Sequence, residues 1–285
     1  MAEARVRRPP PLLRPRRAFK GLGMSIRTSI IAAALLALPI AMPAHAAGAG
    51  YTPLEMEKTF SGPFGTFDRN QLKRGYQVYR EVCAACHAMN LLAYRNLSQP
   101  GGPEFTEEEA KALAASGPEV PGIDNETGEA ITRPAGLADH FPSPFPNAIA
   151  AKAANNGAYP PDLSLIAKGR DHGPDYIYSL LGHGYTEEVP EGISVPEGAY
   201  YNKYMPGSVI AMAPPLSDGI VEYAEADVPR TVEQYSKDVA AFLMWAAEPK
   251  LESRHRMGLG VMIFLSIMAV LFYLSYRRVW RNVEH

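Results

Sequence analysis

Cys83-Ala84-Ala85-Cys86-His87 places two thiols three positions apart with an imidazole directly after them. At that spacing both sulfurs can reach the two vinyl groups on one edge of a porphyrin, and the histidine can supply an axial nitrogen to its iron. This is the attachment chemistry of a c-type haem. These are the only two cysteines in the chain, so no disulfide elsewhere competes for either. Three other chemistries share this motif or part of it. A thioredoxin-like C-x-x-C sits beside a βαβ alternation, and none is visible. A zinc site needs four ligands with paired spacing, whereas His140, His172 and His183 are scattered singly. The third is a disulfide closing a tight turn. Haem attachment is the expectation.

An iron that only exchanges electrons takes a second axial group from the protein, and a Met/His pair raises its potential. Between the two hydrophobic ends of the chain lie Met56, Met89, Met205, Met212 and Met244. Met89 is too near His87 to cross to the opposite haem face, Met244 reads as core beside Trp245, and Met56 lies far upstream. Met212, in Ala211-Met212-Ala213-Pro214-Pro215, and Met205, in Tyr204-Met205-Pro206-Gly207, are each followed by proline, which stiffens a loop. Met212 leads and Met205 follows. His172 and His183 also remain as donors.

The elements that must position these groups read as helices joined by long loops, a mainly α fold. Asp68 can cap a helix reaching about residue 85, with Leu72, Tyr76, Tyr79 and Val82 on one side. Such a helix delivers the thiols at its C-terminal end. Thr231-Val232-Glu233-Gln234 reads as a capping box opening a helix through Ala247, which stops before Pro249. The two helices are expected to pack across each other at the haem edge. Shorter helices are expected at 106–115 (facing solvent), 147–154 and 175–181, and proline-broken loops at 139–147 and 187–198. No strand-like alternation persists.

Residues 1–46 look like a targeting segment: Arg27, an apolar run over 30–42, then Ala44-His45-Ala46 as a small-x-small cleavage site. Met24 is an alternative start. The haem domain is expected over 47–250, a juxtamembrane linker over 251–256, a transmembrane helix over 257–276 and a cytoplasmic tail over 277–285. The span is 20 uncharged residues, enough to cross a hydrocarbon core of about 30 Å. Arg277, Arg278 and Arg281 follow it, and Lys250, Arg254 and Arg256 precede it, so the flanking charges alone leave orientation nearly tied. The export signal decides it: haem domain in the periplasm, C-terminus in the cytoplasm of a bacterial inner membrane. Without residues 1–46 the chain carries 20 basic and 29 acidic groups, a net of −9, where the whole chain shows −2. That sign disfavours nucleic-acid binding and suits a basic partner, although an acidic surface also serves solubility alone.

Longer stretches resemble the cytochrome c1 family, the haem subunits of ubiquinol–cytochrome c reductase (the bc1 complex). They are Arg74-Gly75-Tyr76-Gln77-Val78-Tyr79 ahead of the Cys83–His87 motif, Ala153-Ala154-Asn155-Asn156-Gly157-Ala158-Tyr159-Pro160-Pro161-Asp162-Leu163-Ser164, Met212-Ala213-Pro214-Pro215, and Phe242-Leu243-Met244-Trp245-Ala246-Ala247-Glu248-Pro249. The resemblance covers nearly all of 51–280 and is weakest over 98–146. It implies a cytochrome c-like haem domain with a single haem c joined through Cys83 and Cys86, and His87 and Met212 as axial ligands. It further implies that Arg170 pairs with a haem propionate and that Pro160, Pro161, Tyr176 and Pro215 line the haem pocket. The implied partners are cytochrome b, the Rieske iron–sulfur protein as electron donor and a cytochrome c as acceptor. No bond-making of its own is implied. Rival readings are a free-standing membrane-tethered cytochrome c and the cytochrome subunit of a periplasmic dehydrogenase; the long 98–230 insert and the C-terminal anchor disfavour the first. If the negative field steers a basic cytochrome, stopped-flow electron transfer to that partner slows as ionic strength rises; a flat salt dependence removes the idea.

Overall fold

The computed structural model describes residues 51–282, so the expected targeting segment lies outside the described residues. Six α-helices dominate: α1 Arg69–Glu81, α2 Glu107–Ala115, α3 Ala148–Ala154, α4 Pro174–Gly182, α5 Val232–Ala247 and α6 Leu251–Trp280. Two 3₁₀ turns, Cys83–Ala85 and Tyr94–Ser98, sit among them. Strands β1 Val120–Ile123 and β2 Ala130–Arg133 form one antiparallel hairpin, and β3 Tyr200–Tyr201 with β4 Val209–Ile210 another.

α1 starts where its cap dictates: the Asp68 carboxylate accepts the Asn70 and Gln71 amides at 2.8 and 3.1 Å, a contact worth about 1 kcal/mol. Its apolar side buries Leu72, Tyr76 and Tyr79, and Val82 packs part-buried against the core. α5 buries Tyr235, Val239 and Phe242 completely. The two helices meet at Gly75, where a Cβ would lie 2.1 Å from the Asp238 carbonyl oxygen and 2.6 Å from Phe242 Cβ. Only glycine permits that approach.

The crossing also carries a charge pair. Asp238 is fully buried and takes Arg74 Nε at 2.9 Å and Nη2 at 3.3 Å. Tyr223 Oη and Gln234 Nε2, each at 2.9 Å, occupy its remaining acceptor positions. A buried carboxylate is tolerated because every lone-pair direction is used. Around it Tyr76, Phe141, Tyr79, Phe242 and Trp245 make a chain of ring contacts at 5.6–6.0 Å.

Several expectations are corrected. The α-helix of α1 ends at Glu81 and hands over to the Cys83–Ala85 3₁₀ turn rather than running on to residue 85. Thr231 caps α5 through the Gln234 amide at 3.3 Å; the Gln234 side chain closes no box, because it is spent on Asp238. α2 has its full Thr106–Glu109 capping box, yet it is not simply solvent-facing, since Ala110 and Ala114 are fully buried. The 98–146 region holds a hairpin too short for alternation to register. Residues 251–256, expected as a linker, are the opening turns of α6.

Along α6 the large apolar side chains from Met257 to Trp280 are exposed, except part-buried Met268, and its most apolar window has no buried share. A helix of that length with an apolar surface all round suits a bilayer.

Replacing Asp238 with alanine strands the Arg74 guanidinium and lowers stability by about 3–5 kcal/mol. Gly75→Ala overpacks the crossing, costing about 1–3 kcal/mol. Breaking the exposed Glu107–Lys111 pair by Lys111→Ala changes stability by no more than about 1 kcal/mol. Denaturant unfolding followed by the fluorescence of buried Trp245 orders the three.

Candidate functional site

The C-x-x-C-H loop begins as α1 unwinds. The Cys83 carbonyl accepts the amides of Cys86 at 3.1 Å and His87 at 2.9 Å, winding all three chemical residues into one tight turn. Both cysteines are free thiols, Cys83 part-buried and Cys86 exposed. Burial pushes the Cys83 thiol up to about 12. Among the described residues the sheets are two antiparallel hairpins, not the βαβ alternation beside which a thioredoxin-like dithiol sits. Among the described residues no three His, Cys, Asp or Glu side chains converge on a metal position.

His87 is held from across the chain. Its Nδ1 lies 2.9 Å from the Pro161 carbonyl oxygen. A carbonyl only accepts, so Nδ1 carries the proton and the neutral ring keeps its lone pair on Nε2. Burial lowers the imidazole pKa, partly opposed by the Pro161 bond and the nearby Asp162 charge. A neutral imidazole oriented by its second nitrogen is what an iron or zinc ligand requires.

The segment carrying Pro161 is stapled to the loop. Leu163 N donates to Ala88 O at 2.8 Å, Asn90 N to Asp162 Oδ2 at 2.9 Å and Leu91 N to Ser164 Oγ at 3.1 Å. Asp162 Oδ1 in turn accepts Ser164 N at 2.8 Å. A cleft of about 240 Å³ opens beside Cys86, walled by Ala88, Phe145, Ala151, Tyr159 and Pro160. Thus Cys83, Cys86, His87, Pro160 and Pro161 come together as one constellation.

The other expected residues are carried by other segments of the chain. Tyr176, on α4, is part-buried and donates to Met205 Sδ at 3.6 Å. Its phenol is pushed up by burial and pulled back by the Arg170 guanidinium, which places Arg170 beside it. Arg170 is exposed and also donates to the Gly169 carbonyl at 3.0 Å. Met212 follows β4 and is part-buried, its carbonyl accepting from Tyr185 Oη at 3.0 Å. Pro215 is part-buried, next to buried Leu216. Among the described residues no hydrogen bond or ring contact joins Met212 to His87. Of the alternative donors, His183 is engaged with Tyr178 Oη at 2.9 Å, and His172 occupies a left-handed turn at φ 63° ahead of α4.

Sequence reasoning missed the Asp162–Ser164 staple, although Asp-x-Ser is a recognisable side-chain turn signal. It also missed the Tyr176–Met205 and Tyr185–Met212 contacts, which join segments with no local signature.

Residues 59–283 match the family model described as the cytochrome C1 family. The chain is 46% identical to cytochrome b/c1 of Bradyrhizobium diazoefficiens, over 90% of this chain and 40% of that one. It is 42% identical to cytochrome c1 of Blastochloris viridis, over 92% of this chain and 99% of that one. With the mitochondrial cytochrome b-c1 complex catalytic subunit of Candida albicans the identity is 45%, over 84% and 81% of the two chains. A model match across nearly the whole chain, and identities this high over full-length relatives, mean that this chain belongs to the cytochrome c1 family.

Proposed function

We propose that the chain is the haem-carrying electron-transfer subunit of a membrane-bound cytochrome b-c1 complex. In this reading it accepts an electron from a Rieske iron–sulfur protein and passes it to a cytochrome c. The observation that carries the reading is the His87–Pro161 contact: an imidazole beside two thiols, with its proton held at Nδ1 and its Nε2 pair free to ligate.

Haem c, when bound, supplies a one-electron couple at its iron. The chain's own residues do the rest. Cys83 and Cys86 hold the group through thioethers; a thiol kept protonated by burial is quiet until it is attached. His87 would supply an imidazole nitrogen to the iron, and the staple over 161–164 keeps its ring from turning. Met212 would supply a thioether sulfur to it, its loop held by Tyr185 and by two following prolines. Arg170 offsets a propionate carboxylate, and Pro160, Pro161, Tyr176 and Pro215 limit water at the edge. Two such protein ligands would leave no open coordination position for a substrate, which suits relay rather than bond-making. The remaining body over 47–250 sits in the periplasm of a bacterial inner membrane, with 257–276 in the bilayer and 277–285 in the cytoplasm.

Denaturing gels stained for haem show the group on the full-length polypeptide, and staining disappears in Cys83→Ala/Cys86→Ala. A stain-free wild-type band sinks the reading. Purification in mild detergent brings a b-type cytochrome with the chain; a lone haem protein instead supports the free-standing carrier. Met212→Leu abolishes the red charge-transfer band of Met-ligated ferric haem and lowers the midpoint potential, while Met205→Leu leaves the band in place. The reverse pattern transfers the sixth position to Met205.

A further inference from the structure

Two ion-pair contacts sit where the haem domain meets the membrane helix, and each reaches an element that holds the candidate site. α5 and α6 are separated only by Glu248, Pro249 and Lys250, a break at which a helix pair can bend. On one side Arg69, the first residue of α1, grips Glu252 in the first turn of α6, Nη1 to Oε1 at 2.6 Å and Nη2 to Oε2 at 2.8 Å. The same carboxylate accepts the Phe67 amide at 2.8 Å, and Arg69 Nη1 also donates to the Phe67 carbonyl at 2.8 Å. Glu104 takes Arg69 Nε at 2.9 Å. On the other side Lys168 Nζ pairs with Glu248 Oε2 inside the joint, an oxygen that Arg254 Nη1 reaches at 3.2 Å. Leu251 between them is buried.

We propose that the Arg69–Glu252 and Lys168–Glu248 pairs form a two-sided clamp that fixes the attitude of the haem domain on its membrane helix. Arg69 and Lys168 are then positioning residues for electron transfer; the proposal rests on the haem reading above. A guanidinium held at both ends by one carboxylate fixes angle as well as distance. The Glu252 side chain is only 12% exposed, so salt screens this pair less than a surface pair. The geometry is economical: Arg69 opens the helix that delivers Cys83, and Lys168 follows Pro161, which holds His87. Residues 251–256 stand above the apolar span as a helical stalk of about 9 Å. Arg69 grips that stalk directly, and Lys168 reaches it through Glu248, which Arg254 of the stalk also contacts; together they set the attitude of the haem domain against the bilayer normal.

The test is the angular dependence of the ferric-haem electron paramagnetic resonance signal from the full-length, haem-loaded chain in oriented bilayers. The wild-type chain gives a sharp dependence on the angle to the membrane normal. Arg69→Ala/Lys168→Ala loses that sharpness while haem content and the optical spectrum stay at wild-type level. Arg69→Lys, which keeps the charge but not the fork, guards against a double variant that fails to fold, and it broadens the dependence. Arg69→Glu broadens it as well, and adding Glu252→Arg restores it. Haem-loaded variants with an unchanged angular dependence overturn the clamp alone. A polypeptide that carries no covalent haem overturns the functional reading, and the clamp with it.

Discussion

The structure depends on how closely α1 and α5 approach at Gly75. With a Cβ there, the Asp238 carbonyl would be 2.1 Å away, so the helices could not cross where they do. Arg74 and Asp238, each at the crossing, add an ion pair that is satisfied only when the helices are seated. Backbone contact and charge pairing therefore select one register. Because α1 runs into the C-x-x-C-H turn and α5 leads to the membrane helix, that register ties the redox chemistry to the membrane. The aromatic rings of Tyr76, Tyr79 and Phe242 fill the space on either side, and fully burying such a side chain contributes about 1.5–3 kcal/mol.

The second constraint acts on a single proton. A free histidine exchanges its proton between two nitrogens and rotates about two bonds, and both freedoms must be removed before it serves as a directed ligand. The Pro161 carbonyl removes the first. The amide bonds of Leu163, Asn90 and Leu91 remove the second by locking the two chain segments together. Proline suits this place for a physical reason: its fixed φ removes one backbone freedom beside the carbonyl, and it has no amide proton of its own to satisfy.

The local parts of this architecture were legible in the sequence. Asp68, Thr106, Asn147 and Thr231 each announced a helix start, and each caps one. Such caps are decided within three residues, so no tertiary information is needed. The C-x-x-C-H turn is equally local. What escaped the sequence was decided by distant partners. Gln234 had the right spacing to close a capping box, but Asp238 draws its amide into the buried network one turn along. Residues 251–256 are polar enough to read as linker, yet their helix is held by Arg69, far away in the chain. The hairpin at 120–133 pairs four residues with four, too few for a period of two to declare itself. Within the candidate site, the thiols and imidazole were readable from spacing, whereas the staple on Pro161 exists only once the fold brings 87 and 161 together.

The two loop methionines show how structure separates residues that spacing alone leaves in competition. Both precede proline and both belong to the segment around β3 and β4. Met205 Sδ accepts a hydrogen bond from Tyr176, which engages electron density that a metal would otherwise draw upon. Its backbone closes the hairpin turn, with Ser208 N on its carbonyl at 2.7 Å, so a shift of the side chain toward a metal would strain the hairpin that supports it. Met212 is held differently. Tyr185 grips its carbonyl rather than its sulfur, fixing the chain. Among the described residues no hydrogen bond reaches the Met212 sulfur, and its pinned backbone suits the ligand role proposed for it. A sulfur already hydrogen-bonded within a turn suits packing beside the site, and this difference favours Met212 for the sixth position.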